Sequence, residues 1–100
     1  VLIPDLEDAR RYFNENPISF DALSGIARKT REHFPADVAD ISLEIYHDPE
    51  FPDEYPTLYV RKDQYDNSIM DEIDHLEREC GSLLAQAGRL LITTDFRKRK

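Results

Sequence analysis

The chain has 100 residues, 40% of them hydrophobic and 34% charged, with three glycines and a formal charge of -8. Such a length supports one core and excludes two substrate-binding domains, while the composition excludes a low-complexity or fully disordered chain. Four of the thirteen basic residues are the terminal Arg97, Lys98, Arg99 and Lys100, which leaves nine against 21 acidic residues in the body, a surplus of negative charge that repels nucleic-acid phosphates.

A first helix is predicted over PDLEDARRYFNEN, where Leu6, Ala9 and Phe13 recur at helical spacing behind Pro4, and Pro17 disfavours helix at Asn16. A second spans ISFDALSGIARKTREHFP, with Phe20, Leu23, Ile26, Ala27, Thr30 and Phe34 on one stripe. Ser19 is its expected N-cap, Ile18 staples against Leu23, and Pro35 closes it. From Ala39 the apolar period becomes two: Ala39, Ile41, Leu43 and Ile45 alternate with Asp40, Ser42, Glu44 and Tyr46, as in a strand with one buried face. PTLYVRK repeats the pattern with Leu58 and Val60 against Thr57, Tyr59 and Arg61, so the two strands read as a hairpin.

A third helix is expected from Asp66 or Ser68, through Ile69, Met70, Ile73, Leu76, Cys80, Leu83 and Leu84, to a stop at Gly88. Gly81 lies inside it and costs up to ~1 kcal/mol relative to Ala, which predicts a break there. RLLITTDF then reads as a strand, Leu90, Ile92 and Phe96 on one side and Leu91 and Thr93 on the other. The resulting class is α+β in the order α-α-β-β-α-β, with a three-stranded mixed or antiparallel sheet and helices mainly on one face. A right-handed crossover lays the last strand parallel to the second, and its apolar sequence suits a central place beside the first. Residues 1–96 form the single domain, and 97–100 a mobile, solvated basic tail. The helix-free face would show Glu44, Tyr46, Tyr59 and Arg61.

The hairpin loop HDPEFPDEYP concentrates His47, Asp48, Glu50, Asp53 and Glu54 among three prolines. Oxygen ligands of this kind suit a divalent cation, but the loop lacks the ordered acids, turn glycine and closing Glu of a calcium-binding loop. Pro49, Pro52 and Pro56 instead favour a stiff exposed connection, with Phe51 and Tyr55 expected to tack it to the body. Hairpin nucleases need an acid two residues before a strand lysine, and Lys62 is preceded there by Val60. Glu44 and His47, a Glu-x-x-His pair, fall on a strand and point to opposite faces, and Asp71, His75 and Glu79 read as a solvated helix face. Cys80 lies in an apolar stripe, as an inert thiol does, and no serine sits in a nucleophile elbow. Arg10, Arg11, Arg28, Lys29 and Arg31 form the one candidate basic patch, flanked by acids.

The strings at 41–66, ISLEIYHDPEFPDEYPTLYVRKDQYD, and 88–97, GRLLITTDFR, resemble a group of small bacterial proteins without an established activity. The resemblance implies no catalytic residue. It marks Asp48, Glu50, Asp53, Glu54, Tyr55, Tyr59, Arg61, Tyr65, Asp66, Asp95 and Arg97 as the characteristic surface, and the chain departs from the group at Gly88-Arg89, where an aromatic follows the glycine in the others.

The expected function is a non-catalytic protein–protein interaction module without a cofactor, antitoxin-like or self-associating, whose partner-binding residues are Asp48, Glu50, Asp53, Glu54, Tyr55, Tyr59 and Arg61. The alternative is a metal-dependent hydrolase or nuclease using His47, Asp48, Glu50, Asp53 and Glu54. The sequence carries no stretch of ~18 apolar residues and no basic-then-apolar leader, so a cytoplasmic protein is expected, and the Val1 start leaves a trimmed N-terminus open.

Overall fold

The computed structural model describes residues 1–99. Helix α1 spans Leu6–Glu15, α2 Phe20–His33, strand β1 Ala39–His47, β2 Glu54–Lys62, α3 Ile69–Glu79, α4 Gly81–Ala87 and β3 Leu91–Thr93. The α+β class and the predicted order hold, the third helix being divided in two at the expected glycine. β1 and β2 are antiparallel and β3 runs parallel to β2, a mixed three-stranded sheet in the order β1-β2-β3. No helix among the described residues is long and apolar enough to cross a membrane.

The place of β3 differs from the expectation of a central strand beside β1: it is a three-residue edge, and β2 is central. Two features of the chain account for this. The outer edge of β1 is already engaged by Leu2, whose N–H donates to the Ile41 carbonyl at 2.8 Å and whose carbonyl accepts from Leu43 N–H at 2.8 Å. The β2–β3 ladder starts at Thr57, immediately after Pro56, which has no N–H to contribute.

The inward residues Ala39, Ile41, Leu43, Leu58, Val60 and Ile92 meet Ile26 and Phe34 of the α2 region, Ile69, Ile73 and Leu76 of α3, and Cys80. All these strand residues share one pleat face, so the helices lie on one side of the sheet. Ser19 caps α2, its Oγ accepting from Ala22 N–H at 3.2 Å, and Asp5 caps α1 through Asp8 N–H at 3.0 Å. α2 and α4 approach closely at Gly25, where a Cβ would stand 2.9 Å from Leu83 Cδ1. Gly88 ends α4 at φ 78°, ψ -127°, a conformation open to glycine and strained for other residues.

Three stripe assignments change. α1 buries Ala9 and Tyr12, while Leu6, about 120° round the helix from Tyr12, is exposed. α2 buries Ala22, Gly25, Ile26 and Thr30, which leaves Phe20, about 200° from Ala22, 78% exposed. Met70 is exposed on α3. The last strand stops before Phe96, which has φ 59° and leaves the core to set its ring edge-on against Tyr65.

The described residues after β3 fold back along the body as far as Arg99. Tyr65 accepts from Lys62 N–H at 2.9 Å and donates to the Arg97 carbonyl, and Arg99 reaches the Ala36 and Asp37 carbonyls at 2.8 and 3.1 Å and Asp40 at 3.3 Å. Residues 94–99 thus cross the sheet end from β3 toward the start of β1, with the Arg99 side chain held against residues 36–40. The side chains of Arg97 and Lys98 remain in solvent, and Lys100 lies outside the described residues.

Candidate interaction surface

The pleat divides the predicted site residues between two faces. In the hairpin register Tyr46 pairs with Tyr55, Glu44 with Thr57, Ser42 with Tyr59 and Asp40 with Arg61, and these side chains share the face away from the helices. His47 and Glu54 alternate with them and turn to the helix side. Tyr55, Tyr59 and Arg61 are therefore brought together on the outer face, whereas His47 and Glu54 meet α1.

On the outer face the rings of Tyr46 and Tyr55 lie 5.1 Å apart, and the Arg89 guanidinium lies 4.2 Å from the Tyr55 ring centre. Arg61, expected as an exposed anchor, is 7% exposed and hydrogen-bonded through each of its three side-chain nitrogens. It donates to both Asp95 oxygens at 3.1 and 2.8 Å and to Glu44 at 2.8 Å, and lies over the Tyr59 ring at 4.8 Å. Its hydrogen bonds to Asp95 raise its pKa, and the same bonds hold the Asp95 carboxyl below the usual range. Partial burial raises the Tyr59 phenol, which stays protonated near neutrality. Arg61 is therefore a structural clamp joining β1, β2 and the segment after β3.

Thr57 sits at the centre of this face at 1% exposure, and its hydroxyl is buried without a hydrogen-bond partner among the described residues. A sealed hydroxyl forfeits its bonds with water, so Thr57→Val is expected to raise stability by about 1 kcal/mol. Urea denaturation measures this; an equal or lower stability would mean that the hydroxyl is satisfied in solution.

The hairpin loop is pinned by its own acids. Asp48 accepts from Glu50 N–H at 2.8 Å and Phe51 N–H at 3.1 Å, its N–H donates to the Asp53 carbonyl, and Asp53 N–H donates to the Phe51 carbonyl. Asp53 takes two bonds from Arg89, at 2.6 and 2.8 Å, which lower its carboxyl pKa. Glu54 receives two from Arg11, at 3.1 and 2.8 Å. Tyr55 does tack the loop to the body, through Tyr46 and Arg89; Phe51 does not, being 65% exposed at the tip. Pro49 and Pro52 flank the turn that carries it.

His47 brings a carboxylate to each ring nitrogen, Asp8 at 2.6 Å and Glu54 at 3.1 Å. The two carboxylates thus take different edges of the imidazole, and both also accept from Arg11 Nη2, at 2.9 and 2.8 Å, so a guanidinium stands where they converge. No group of three or more His, Cys, Asp or Glu side chains is arranged to hold a metal ion among the described residues. Glu44, the other member of the Glu-x-x-His pair, lies on the opposite face with Ser42 and Arg61.

Asp8 is held below the ordinary carboxylate range chiefly by its hydrogen bond to His47 and also by Arg11, and Glu54 chiefly by Arg11. A depressed folded-state pKa stabilises above the unfolded carboxylate range and is lost as pH falls through the folded values. Acidification is thus expected to loosen α1 from the hairpin before the core yields. Hydrogen exchange across α1 reads this; unchanged protection down to the pH of global unfolding would contradict it.

The basic patch foreseen on the helices is drawn inward. Arg11 serves Asp8, Glu15 and Glu54, and Arg31 caps the carbonyls of Phe34 and Ala39 at 3.2 and 2.8 Å. Asp71 and His75 line an open hollow with His33, whose Nε2 lies 2.9 Å from Glu79. Cys80 is buried, and burial pushes its thiol up. Among the characteristic residues, Tyr65 and Asp95 join the chain end to the sheet, and Asp66 caps the turn into α3 through Ser68 N–H at 2.9 Å.

Arg89, Asp8 and Arg11 are partners of the loop that the sequence does not point to. The spacing of Asp8 and Arg11 on one helix face was visible, but nothing local points to the hairpin, and Arg89 stands alone beside Gly88. Comparison with protein-family models, with curated proteins and with solved structures returns no match.

Proposed function

We propose that this chain is a non-catalytic, cytoplasmic protein–protein interaction module that meets its partner on the helix-free sheet face and the adjoining hairpin loop. Antitoxin-like covering of a basic protein and self-association are its two concrete versions. One observation carries the reading: a sheet face without a helix layer presents Tyr46, Tyr55 and Tyr59 together, tyrosine combining apolar area with a polar handle as interface anchors do. The proposed partner-binding set keeps Asp48, Glu50, Asp53, Glu54, Tyr55 and Tyr59, with Arg61 as the clamp beneath. Membership of the group of small bacterial proteins is part of the same proposal.

The alternative, a metal-dependent hydrolase built on His47, Asp48, Glu50, Asp53 and Glu54, is weakened by the engagement of Asp53 and Glu54 with Arg89 and Arg11. Mass-resolved sizing over a concentration range, together with capture and identification of binders, tests the proposal against the variant Tyr46→Ser/Tyr55→Ser/Tyr59→Ser. Association lost in the folded variant supports it. A melt raised by Mn²⁺, Mg²⁺ or Zn²⁺, with a hydrolytic activity lost in Asp53→Ala/Glu54→Ala, would replace it.

A further inference from the structure

β3 closes the sheet on one side, and no further strand lies on its outer edge among the described residues. The directions of its backbone groups follow from the register. Leu2 bonds the Ile41 carbonyl and the Leu43 N–H from outside the sheet, so Ser42 and Glu44 turn theirs toward β2, where Tyr59 and Thr57 meet them. Leu58 then points its N–H and carbonyl at β3, to Leu91 and Thr93 on either side of its partner Ile92, and the Ile92 N–H and carbonyl face away from the sheet.

Edges of this kind are ordinarily blunted by lysine, proline or a bulge. The stretch Leu90 to Thr94 carries no charge and no proline, and an open hollow of about 330 Å³ bounded by Tyr55, Gly88, Arg89, Leu90 and Leu91 adjoins it. The stretch is also complementary to itself. Turned antiparallel about Ile92, it sets Leu90 opposite Thr94, Leu91 opposite Thr93 and, at the two ends, Arg89 opposite Asp95. Arg89, over the Tyr55 ring, and Asp95, bonded to Arg61, both stand on the outer face, so the opposite charges meet on one side of the sheet. Two copies of a chain of formal charge -8 repel over most of their surface, whereas this edge brings equal and opposite charges to the contact.

We infer that two copies of this chain pair through β3, antiparallel and centred on Ile92, so that their two three-stranded sheets run on into one. Ile92 of each copy exchanges both backbone bonds with Ile92 of the other, and Asp53, Arg89, Asp95 and Arg61 join in an alternating row across the seam. A two-fold axis normal to the sheet keeps all the helices on one side and lays the two tyrosine faces side by side on the other. The inference rests on the self-association version of the proposed function and places it at the edge, which leaves the tyrosine face free for a different partner.

Mass-resolved sizing of the full chain over a concentration range, paired with amide hydrogen exchange at each concentration, tests this. A dimer is expected, and with it slowed exchange at Ile92, whose N–H has no strand partner in the single copy. Leu91→Lys puts a solvated charge on the edge and is expected to weaken dimerisation about tenfold or more. Leu91 is 38% exposed, so this variant should melt with the parent, which separates lost pairing from lost folding. A full chain joined at Cys80 from residues 1–79 and a synthetic 80–100 segment with an N-methyl group on Ile92 keeps every side chain and every bond to β2. It should remain a monomer.

A parent chain that is monomeric at every concentration overturns the inference, and the sheet-face reading is then decided by whether the tyrosine variant loses a different protein partner. A dimer in which Ile92 exchanges as fast as in the monomer, or one that survives the N-methyl group, also overturns it. So does a dimer kept in Leu91→Lys and lost in Tyr46→Ser/Tyr55→Ser/Tyr59→Ser, a result that supports pairing through the sheet face instead.

Discussion

Arg61→Met is expected to lower the free energy of unfolding by about 3 kcal/mol, measured by urea denaturation at neutral pH. Methionine keeps an apolar stem of similar reach, so the change isolates the loss of the guanidinium. Glu44 and Asp95, both partly shielded, would then face each other across the outer sheet without their counter-ion. The penalty comes from stranding these charges more than from losing the net attraction of the pairs. The further changes Glu44→Gln and Asp95→Asn, added to Arg61→Met, should therefore recover most of the loss. A cost of under about 1 kcal/mol for Arg61→Met alone would mean that water screens the site as it does an ordinary surface ion pair.

Phe34→Ala should cost more, about 4 kcal/mol, because it removes a large core side chain from a position that cannot collapse. Phe34 is 1% exposed and is the largest of the fully buried side chains. It stands just past α2, where its N–H closes on the Thr30 carbonyl and its own carbonyl accepts from Arg31 at 3.2 Å. The backbone there is held from both sides, which limits relaxation into the void. Phe34→Leu should cost considerably less, the cavity being smaller. Calorimetric unfolding decides the point, and a Phe34→Ala loss below about 2 kcal/mol would show that the helix end repacks.

Much of the fold was readable along the chain. The change of apolar period from helical to two-residue at Ala39 located the hairpin, Ser19 located the start of α2, Gly81 the break after α3, and the stripe through Cys80 its buried thiol. The candidate surface was half readable: period two placed Tyr59 and Arg61 on one face, but read Arg61 as free. Helical stripes were less certain at their ends, where Leu6, Phe20 and Met70 match the apolar type yet lie beyond the contact face.

What the sequence by itself determined about this protein is its element order, its inward and outward strand positions and its acidic charge, because these follow from interactions within a turn or two of chain. Tertiary structure alone decided that β2 is central, that Arg11 and Arg89 neutralise Glu54 and Asp53, that Arg61 clamps Glu44 and Asp95, and that Arg99 folds back onto Asp40. These pairs lie 17 to 59 residues apart. A charged side chain takes whichever opposite charge the folded backbone brings within about 3–4 Å, and no local pattern in the sequence encodes that proximity.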